Sequence, residues 1–482
     1  MISYETLKVE AKELGCKVTE LIALAPQNDP FYTGAPAERD KAEWFADMWE
    51  RFGFQGGVHL RRVHYRIISE PTVPTMPNGK PYENTVKCWE FLNIASKYAR
   101  YLDLVDPSLI IDRRNPETVI EAQFAHAGDP WYSDPTPGFY VASDPFSTTW
   151  NSCDLPGIPD LPELADLPEL ADFAVTGYKD VQQDYLIELW AEKTTMNDIL
   201  IPLCQRYRAN LVTGMGELTI SKVDEFIQRV KQAGRPARIL YISDFDPAGL
   251  GMPVSIGRKI EYYQRHWGTD LDVGLTPAVL TGEQAQRYNL PRAPIKESDR
   301  RKTSFERDHG KGATELDALE ALHPGELYHV LESMILDYYD PDLTSKATEQ
   351  RQALADDLDA QRDQVIEDHQ SDLDDVETDY QELITDFEAT RAEFAKLVEP
   401  FAAKIDAYQE RMDGIKERGE TVYSKVFEAL EGVDIDPESD YPLPEPDLPM
   451  SVNGLLYDSD RDYWQQLEHY QAHRHGNGHD LT

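Results

Sequence analysis

Apolar and polar positions change period several times along the chain, and each change marks an element. Residues 1 to about 55 carry aromatics at helical spacing in AEWFADMWERFGF, interrupted by PQNDPFYTGAPAERD, which predicts helices separated by a loop. From Val58 the stretch VHLRRVHYRIIS is short and amphipathic; PTMPNGKPYENT follows, with Asn78-Gly79, the pair that tight hairpin turns favour. A helix is expected from Val86 to about Leu104, with Trp89, Leu92, Ala95, Ala99 and Leu102 along one face. From residue 185 the period alternates: YLIELWAEK is strand-like, MNDILIPLCQRY helical, ANLVTG a strand, SKVDEFIQRVKQAG a helix and RILYISDFD another strand. That alternation predicts a mainly parallel sheet covered by helices, completed by the stretch from GLTPAVL to HVLESMILDYY.

Two regions depart from this pattern. Residues 113 to about 180 are rich in Pro, Asp and Gly and contain the doublet LPELADLPELAD at 161–172, which reads as a linker or insertion. Between about 345 and 418, Ile366, His369, Leu373, Val376, Tyr380, Leu383, Phe387, Phe394 and Leu397 alternate three and four apart, a heptad stripe. Phe401, Ile405, Tyr408, Met412 and Ile415 resume it after a step of four beside Pro400, which marks a stutter or bend. Such a stripe serves either an arm that dimerises or an antiparallel helical hairpin packed on its own chain. The last 50 or so residues, with PESDYPLPEPDLP and HYQAHRHGNGHD, read as a mobile tail. His469, His473, His475 and His479 have metal-ligand chemistry, but the Gly and Asn among them favour disorder. The expected domains are 1–115, helices with a turn-bearing wing of winged-helix type; 116–183, the insertion; 184–342, the α/β sheet domain; 343–430, a coiled-coil α-helical arm; and 431–482, an acidic, His-containing tail.

Composition narrows the partners. The 482 residues hold 47 Lys or Arg against 88 Asp or Glu, a net charge of -41 spread through every segment. A field of that sign opposes non-specific attraction to nucleic acid or anionic membrane, so any DNA site must be a local basic patch. The surface resembles the salt-tolerant surfaces of extreme halophiles, where screening relieves self-repulsion. Cys16, Cys88, Cys153 and Cys204 form no CxxC pair, which fits reduced thiols better than disulfides or zinc. No stretch approaches the roughly 18 apolar residues of a membrane span, and the N-terminus lacks a signal pattern, so an intracellular, soluble protein is expected.

The segment ISDFDPAG, residues 242 to 249, carries the strongest chemical signal. Asp244 and Asp246 follow an apolar strand at the edge where parallel sheets bind ligands, and side chains two apart share a face. Two converging carboxylates repel each other unless a cation lies between them, and hard oxygen ligands suit magnesium. The competing reading is that they cap the next helix. Glu192, in IELWAEKTT, stands at a second strand end, and NLVTGMGELT places Gly214 and Gly216 where backbone N–H groups can approach a phosphate.

The order EK, then TGxGE, then SDFDPAG resembles the toprim domain in the A-subunits of the topoisomerase VI family, whose relatives include the transesterase of meiotic double-strand breaks and the small mini-A homologues. The resemblance, over roughly residues 45 to 340, implies an α/β toprim fold behind a winged-helix domain, with Mg2+ held by Glu192, Asp244 and Asp246. It implies a catalytic tyrosine four residues after an arginine, a spacing matched by Arg61 and Tyr65 in LRRVHYRI, with His64 where better-known members have a second tyrosine. Tyr82 is the rival nucleophile, and a buried aromatic is the structural alternative for Tyr65. Arg62, Lys193, Gly214 and Gly216 are the expected DNA contacts; KGATELDAL, around Glu315 and Asp317, resembles a stretch of small toprim proteins without a physical role of its own. The implied activity is Mg-dependent cleavage of double-stranded DNA through a 5′-phosphotyrosyl link, by a cytoplasmic, nucleoid-associated homodimer. No Walker loop is present, so strand passage would need a separate ATPase partner. A hydrolytic toprim nuclease of a mobile element or defence system, or an inactive DNA-binding protein, are the other readings.

Overall fold

The computed structural model of the chain describes residues 2–111, 115–122, 134–142, 164, 166–214, 219–394, 402–449 and 454–476. It is a mixed α/β protein of two units, one built from residues 1–124, 182–341 and 446–482, the other from 125–181 and 342–445. Strands β1 (Gly138–Val141) and β2 (Phe173–Thr176) pair antiparallel in the second unit; β3 (Leu186–Ala191), β4 (Asn210–Thr213), β5 (Ala237–Ile242), β6 (Val273–Val279) and β7 (Tyr457–Asp458) make the sheet of the first.

The order of that sheet is β4-β3-β5-β6-β7, with the first four strands parallel and β7 antiparallel to β6. Both faces are covered, which is why every residue of β3 and β4 is buried and these strands read as unbroken apolar runs. Leu186, Trp190, Ile239 and Tyr241 face the helices Ile220–Ala233 and Gly251–Trp267, while Ile187, Leu189, Leu240 and Ile242 face Asn197–Tyr207 and Glu326–Leu336. Glu188 shares the first of these faces and is fully buried. It is satisfied by Arg229 in a two-pronged ion pair (2.7 and 2.8 Å), by Trp190 Nε1 (2.9 Å) and by Asn210 Nδ2 (3.0 Å).

Ahead of the sheet, helices Pro36–Arg51, Leu60–Ile68 and Val86–Tyr101 enclose a separate core of Trp44, Phe45, Val63, Ile67, Leu92 and Tyr98. The Asn78-Gly79 turn is present: Gly79 takes φ +78°, Asn78 Oδ1 accepts from Lys80 N–H, and Thr75 pairs with Pro81 across the hairpin. Ser221 Oγ donates to the Ile110 carbonyl (3.0 Å), joining this module to the helix Ile220–Ala233.

Residues 454–476, expected as part of a mobile tail, instead complete the sheet unit. β7 pairs with Gly274 and Leu275, and Tyr463–Arg474 is a helix with a capping box from Asp462 and Gln465. Tyr470 packs so close that a Cβ on Gly257 would lie 2.8 Å from its hydroxyl. A buried hub ties the segment down. Arg258 pairs with Asp29 (3.3 Å) and Glu261 (2.6 Å) and lies 4.3 and 4.5 Å from the Phe31 and Tyr463 ring centroids.

In the second unit, the helices Gln370–Phe394 and Ala402–Glu431 run antiparallel, as the ion pairs Asp386–Arg411 and Asp379–Arg418 require, since one member moves up the chain as the other moves down. The heptad residues Tyr380, Leu383, Met412 and Ile415 are buried in this hairpin, and the doublet contributes Leu164 and Leu167 to the same cluster. The stripe is broken at His369, which ends the helix Leu343–Asp368. Leu397, Phe401, His479 and Cys153 lie outside the described residues.

Arg258→Ala takes the guanidinium from two buried carboxylates, leaving Asp29 only backbone N–H donors and Glu261 its pair with Arg265. It is expected to destabilise the first unit by about 3–5 kcal/mol, measured as a lower urea midpoint.

Candidate active site

The parallel register of β3 and β5 sets Ala191 beside Ile242, and Glu192 N–H donates to the Ile242 carbonyl (3.0 Å). Glu192 and the Asp244–Asp246 loop therefore leave the sheet side by side at its carboxyl edge. The Glu192 carboxylate accepts from Asp244 N–H (3.4 Å), and all three acids are partly buried.

Each acid is held differently. Asp244 Oδ1 accepts from Lys193 Nζ (2.9 Å) and from Leu316 N–H (2.7 Å). Lys193 also reaches Asp317 Oδ2 (2.7 Å), and that bond holds Asp317 below the usual carboxylate range. Asp246 caps the turn that follows it, with Oδ1 accepting from Ala248 N–H (2.8 Å) and Gly249 N–H (2.6 Å). Gly249 is required there, because a Cβ would fall 1.9 Å from the Asp244 carbonyl oxygen. Burial raises the Asp246 pKa against those two bonds, Asp244 adds to the rise, and Arg301 opposes it. Burial first, and then the charges of Asp244 and Asp246, push Glu192 up to about 7. Among the described residues, no group of three or more His, Cys, Asp or Glu side chains is arranged to hold a metal ion. The arrangement is a carboxyl that changes charge near neutrality beside two further acids and one lysine, a setting suited to proton transfer or to exchange of counter-ions.

The other expected site residues are distributed as follows. Tyr65 is 55% exposed, which removes the buried-aromatic reading. Arg61, also exposed, lies one turn before it with its guanidinium 5.6 Å from the Trp89 ring centroid, and Arg62 is exposed beside them. Tyr82, the rival nucleophile, is fully buried, its hydroxyl is bonded to His64 Nδ1 (2.7 Å), and burial drives its pKa far above the ordinary phenol value. It has no route to a substrate. His64 is itself buried and reaches Asn84 Oδ1 (3.2 Å), a structural role.

Two expected DNA contacts are engaged elsewhere. Gly214, just past the end of β4, is buried and its N–H donates to the Ala191 carbonyl (2.8 Å). Lys193 is the counter-charge of Asp244 and Asp317. Gly216 lies outside the described residues. Glu315 is exposed. Sequence reasoning passed over Asp317 as a partner of Lys193 and Glu188 as the buried acid beneath β3; KGATELDAL was the only visible signal for the first, and a lone acid inside LIELWA for the second.

Compared with known proteins, the chain matches no family model and no curated protein.

A carboxyl raised in the folded state stabilises the fold below its unfolded value and loses that contribution as pH rises through about 7. Glu192→Gln is therefore expected to flatten the fall in stability between roughly pH 4.5 and 7. Melting temperatures of both forms across that range check it.

Proposed function

We propose that this chain is a Mg-dependent DNA-cleaving transesterase of the topoisomerase VI A-subunit kind, with a toprim centre at Glu192, Asp244 and Asp246 and its nucleophile at Tyr65. The observation that carries the reading is that those three acids leave two adjacent parallel strands side by side, where burial first and then the charges of Asp244 and Asp246 push Glu192 up to about 7. An exposed Tyr65 with Arg61 one turn away supports it.

The donor set has the chemistry of a magnesium site: hard carboxylate oxygens whose mutual repulsion one lysine only partly offsets. Glu192, Asp244 and Asp246 would hold the ion, which supplies positive charge to a phosphate in its transition state. Glu192 must lose its proton and Asp244 must loosen from Lys193 for that set to close.

The step assigned to Tyr65 is in-line attack of its phenolic oxygen on a backbone phosphorus. The new bond joins tyrosine to the 5′ phosphate, the bond to the 3′ oxygen breaks, the phenol proton passes to solvent, and the released 3′ oxygen takes a proton up. A free phenol is protonated at neutral pH, with a reference pKa of about 10, so a nearby cation is needed. Arg61, one turn earlier on the same helix, is the cation assigned to supply it and to bind the phosphate. Tyr65 and the carboxylates stand on different modules, and by the resemblance the tyrosine of one copy serves the carboxylates of another. The working form is then a homodimer on duplex DNA, with a separate ATPase partner if strands are passed.

Incubation with supercoiled DNA and Mg2+ over a salt series, followed by denaturant and protease, tests the reading. Wild type is expected to leave protein-linked breaks, and Tyr65→Phe to lose them by on the order of a thousandfold or more. Cleavage that persists in Tyr65→Phe would overturn the transesterase in favour of hydrolysis, and a wild type inert at every salt would leave a DNA-binding role. Magnesium affinity, read by titration calorimetry, is expected to rise with pH through about 7 as Glu192 ionises, and to be lost in Asp244→Asn.

A further inference from the structure

The segment from Arg292 to Thr314 leaves the sheet unit and returns to the same place. Ala293 and Ala313 exchange both backbone hydrogen bonds (2.7 and 2.8 Å), and Thr314 exchanges both with Phe245 (2.9 Å each). At the same neck the Arg292 guanidinium lies 5.2 Å from the Phe245 ring centroid, while its Nη1 donates to the carbonyls of His309, Gly310 and Gly312. Gly312 sits at this neck with φ +84°, and a Cβ there would fall 2.9 Å from the Ala293 carbonyl oxygen. Within the loop, the helix Lys302–His309 lays Phe305 against Phe245, centroids 5.3 Å apart. Phe245 stands between Asp244 and Asp246, so this flap is fastened to the acidic centre itself.

Its charge is opposite to that of the chain. Residues 292–311 carry seven Lys or Arg against four Asp or Glu, in a protein of net charge -41. Three of the cations are matched inside the flap, by Arg301–Asp299, Lys302–Glu297 and Arg307–Asp308. Lys296, Arg300 and Lys311 are exposed and have no ion-pair partner among the described residues. A polyphosphate approaching three carboxylates on an acidic surface meets repulsion at every distance within the screening length, about 10 Å at 0.1 M salt. Binding there needs a basic element beside the acids, and Arg301 of the flap already acts on the charge of Asp246.

We propose that the flap 292–314 holds the phosphate backbone of duplex DNA against the acidic centre, with Lys296, Arg300 and Lys311 as its phosphate contacts. This names the substrate-gripping surface of the site and rests on the function proposed above. Contacts of this kind act by releasing condensed counter-ions, so they set affinity and its salt dependence without selecting sequence.

The test is fluorescence anisotropy of a labelled DNA duplex titrated with the full chain without Mg2+, over a KCl series. The triple variant Lys296→Ala, Arg300→Ala, Lys311→Ala is compared with a control of equal charge, Lys8→Ala, Lys12→Ala, Lys17→Ala, placed on exposed residues of the first helix and the turn after it. The flap variant is expected to bind more weakly at every salt, with the slope of log affinity against log salt reduced by about three, roughly one per contact, while the control keeps the wild-type slope. Single Lys296→Ala and Lys311→Ala variants, each expected to lower the slope by about one, cover the case in which the triple variant folds poorly. An unchanged slope in the flap variants, an equal loss in the control, or a wild type that binds no duplex overturns the flap. Since the readout is binding, a chain that grips DNA through the flap yet forms no tyrosine adduct would sink the transesterase and leave the flap standing.

Discussion

Parallel pairing of β3 with β5 forces two strands to end at one level, and the acids that follow them enter each other's field. Like charges brought together at a partly buried edge cost free energy unless each is answered. The surrounding structure is arranged to answer them one at a time. Lys193 and the Leu316 N–H serve Asp244, the Ala248 and Gly249 N–H groups serve Asp246, and Glu192 responds by holding its proton up to about pH 7. Gly249 follows from the same constraint, since the turn that delivers those N–H groups leaves no room for a side chain.

The same principle works deeper in the first unit. Glu188 inside β3 and Arg258 inside the helix Gly251–Trp267 are fully buried charges, each surrounded by specific partners. Burying an ion pair is a weak source of stability, but losing one partner is severe, so such hubs hold particular segments in particular places. Arg258 holds the loop at Asp29 and the C-terminal helix at Tyr463. Glu188 holds β3 to β4 through Asn210, and to the helix Ile220–Ala233 through Arg229. The acidic edge thus stands on a sheet whose register is locked from beneath.

In the second unit the heptad stripe finds its apolar partner within the chain. Tyr380 and Leu383 meet Met412 and Ile415 across an antiparallel hairpin, and Leu164 and Leu167 of the LPELAD doublet lie along it. A stripe of this kind specifies that a second helix covers it and says nothing about which chain that helix belongs to. The charged flanks decide the local register, as Asp386–Arg411 and Asp379–Arg418 show.

Much of the architecture was legible from side-chain periodicity alone. The alternation of apolar strands and amphipathic helices from residue 185 specified a parallel sheet with both faces covered, because only that arrangement buries runs such as LIELWA and RILYI on two sides. The Asn78-Gly79 turn followed from backbone geometry, and the meeting of Glu192 with Asp244 and Asp246 followed from strand ends in a parallel sheet. What the order of residues did not contain was the identity of partners far apart in sequence. Lys193 with Asp317, the flap returning to Phe245, Tyr82 buried against His64, and β7 closing the sheet edge are all long-range contacts. Local composition made residues 454–476 look like a tail, since their apolar positions are few and their value comes from the surface they meet. Sequence determined which residues must be covered and which acids stand at neighbouring strand ends, and only the tertiary structure decided what covers and answers them.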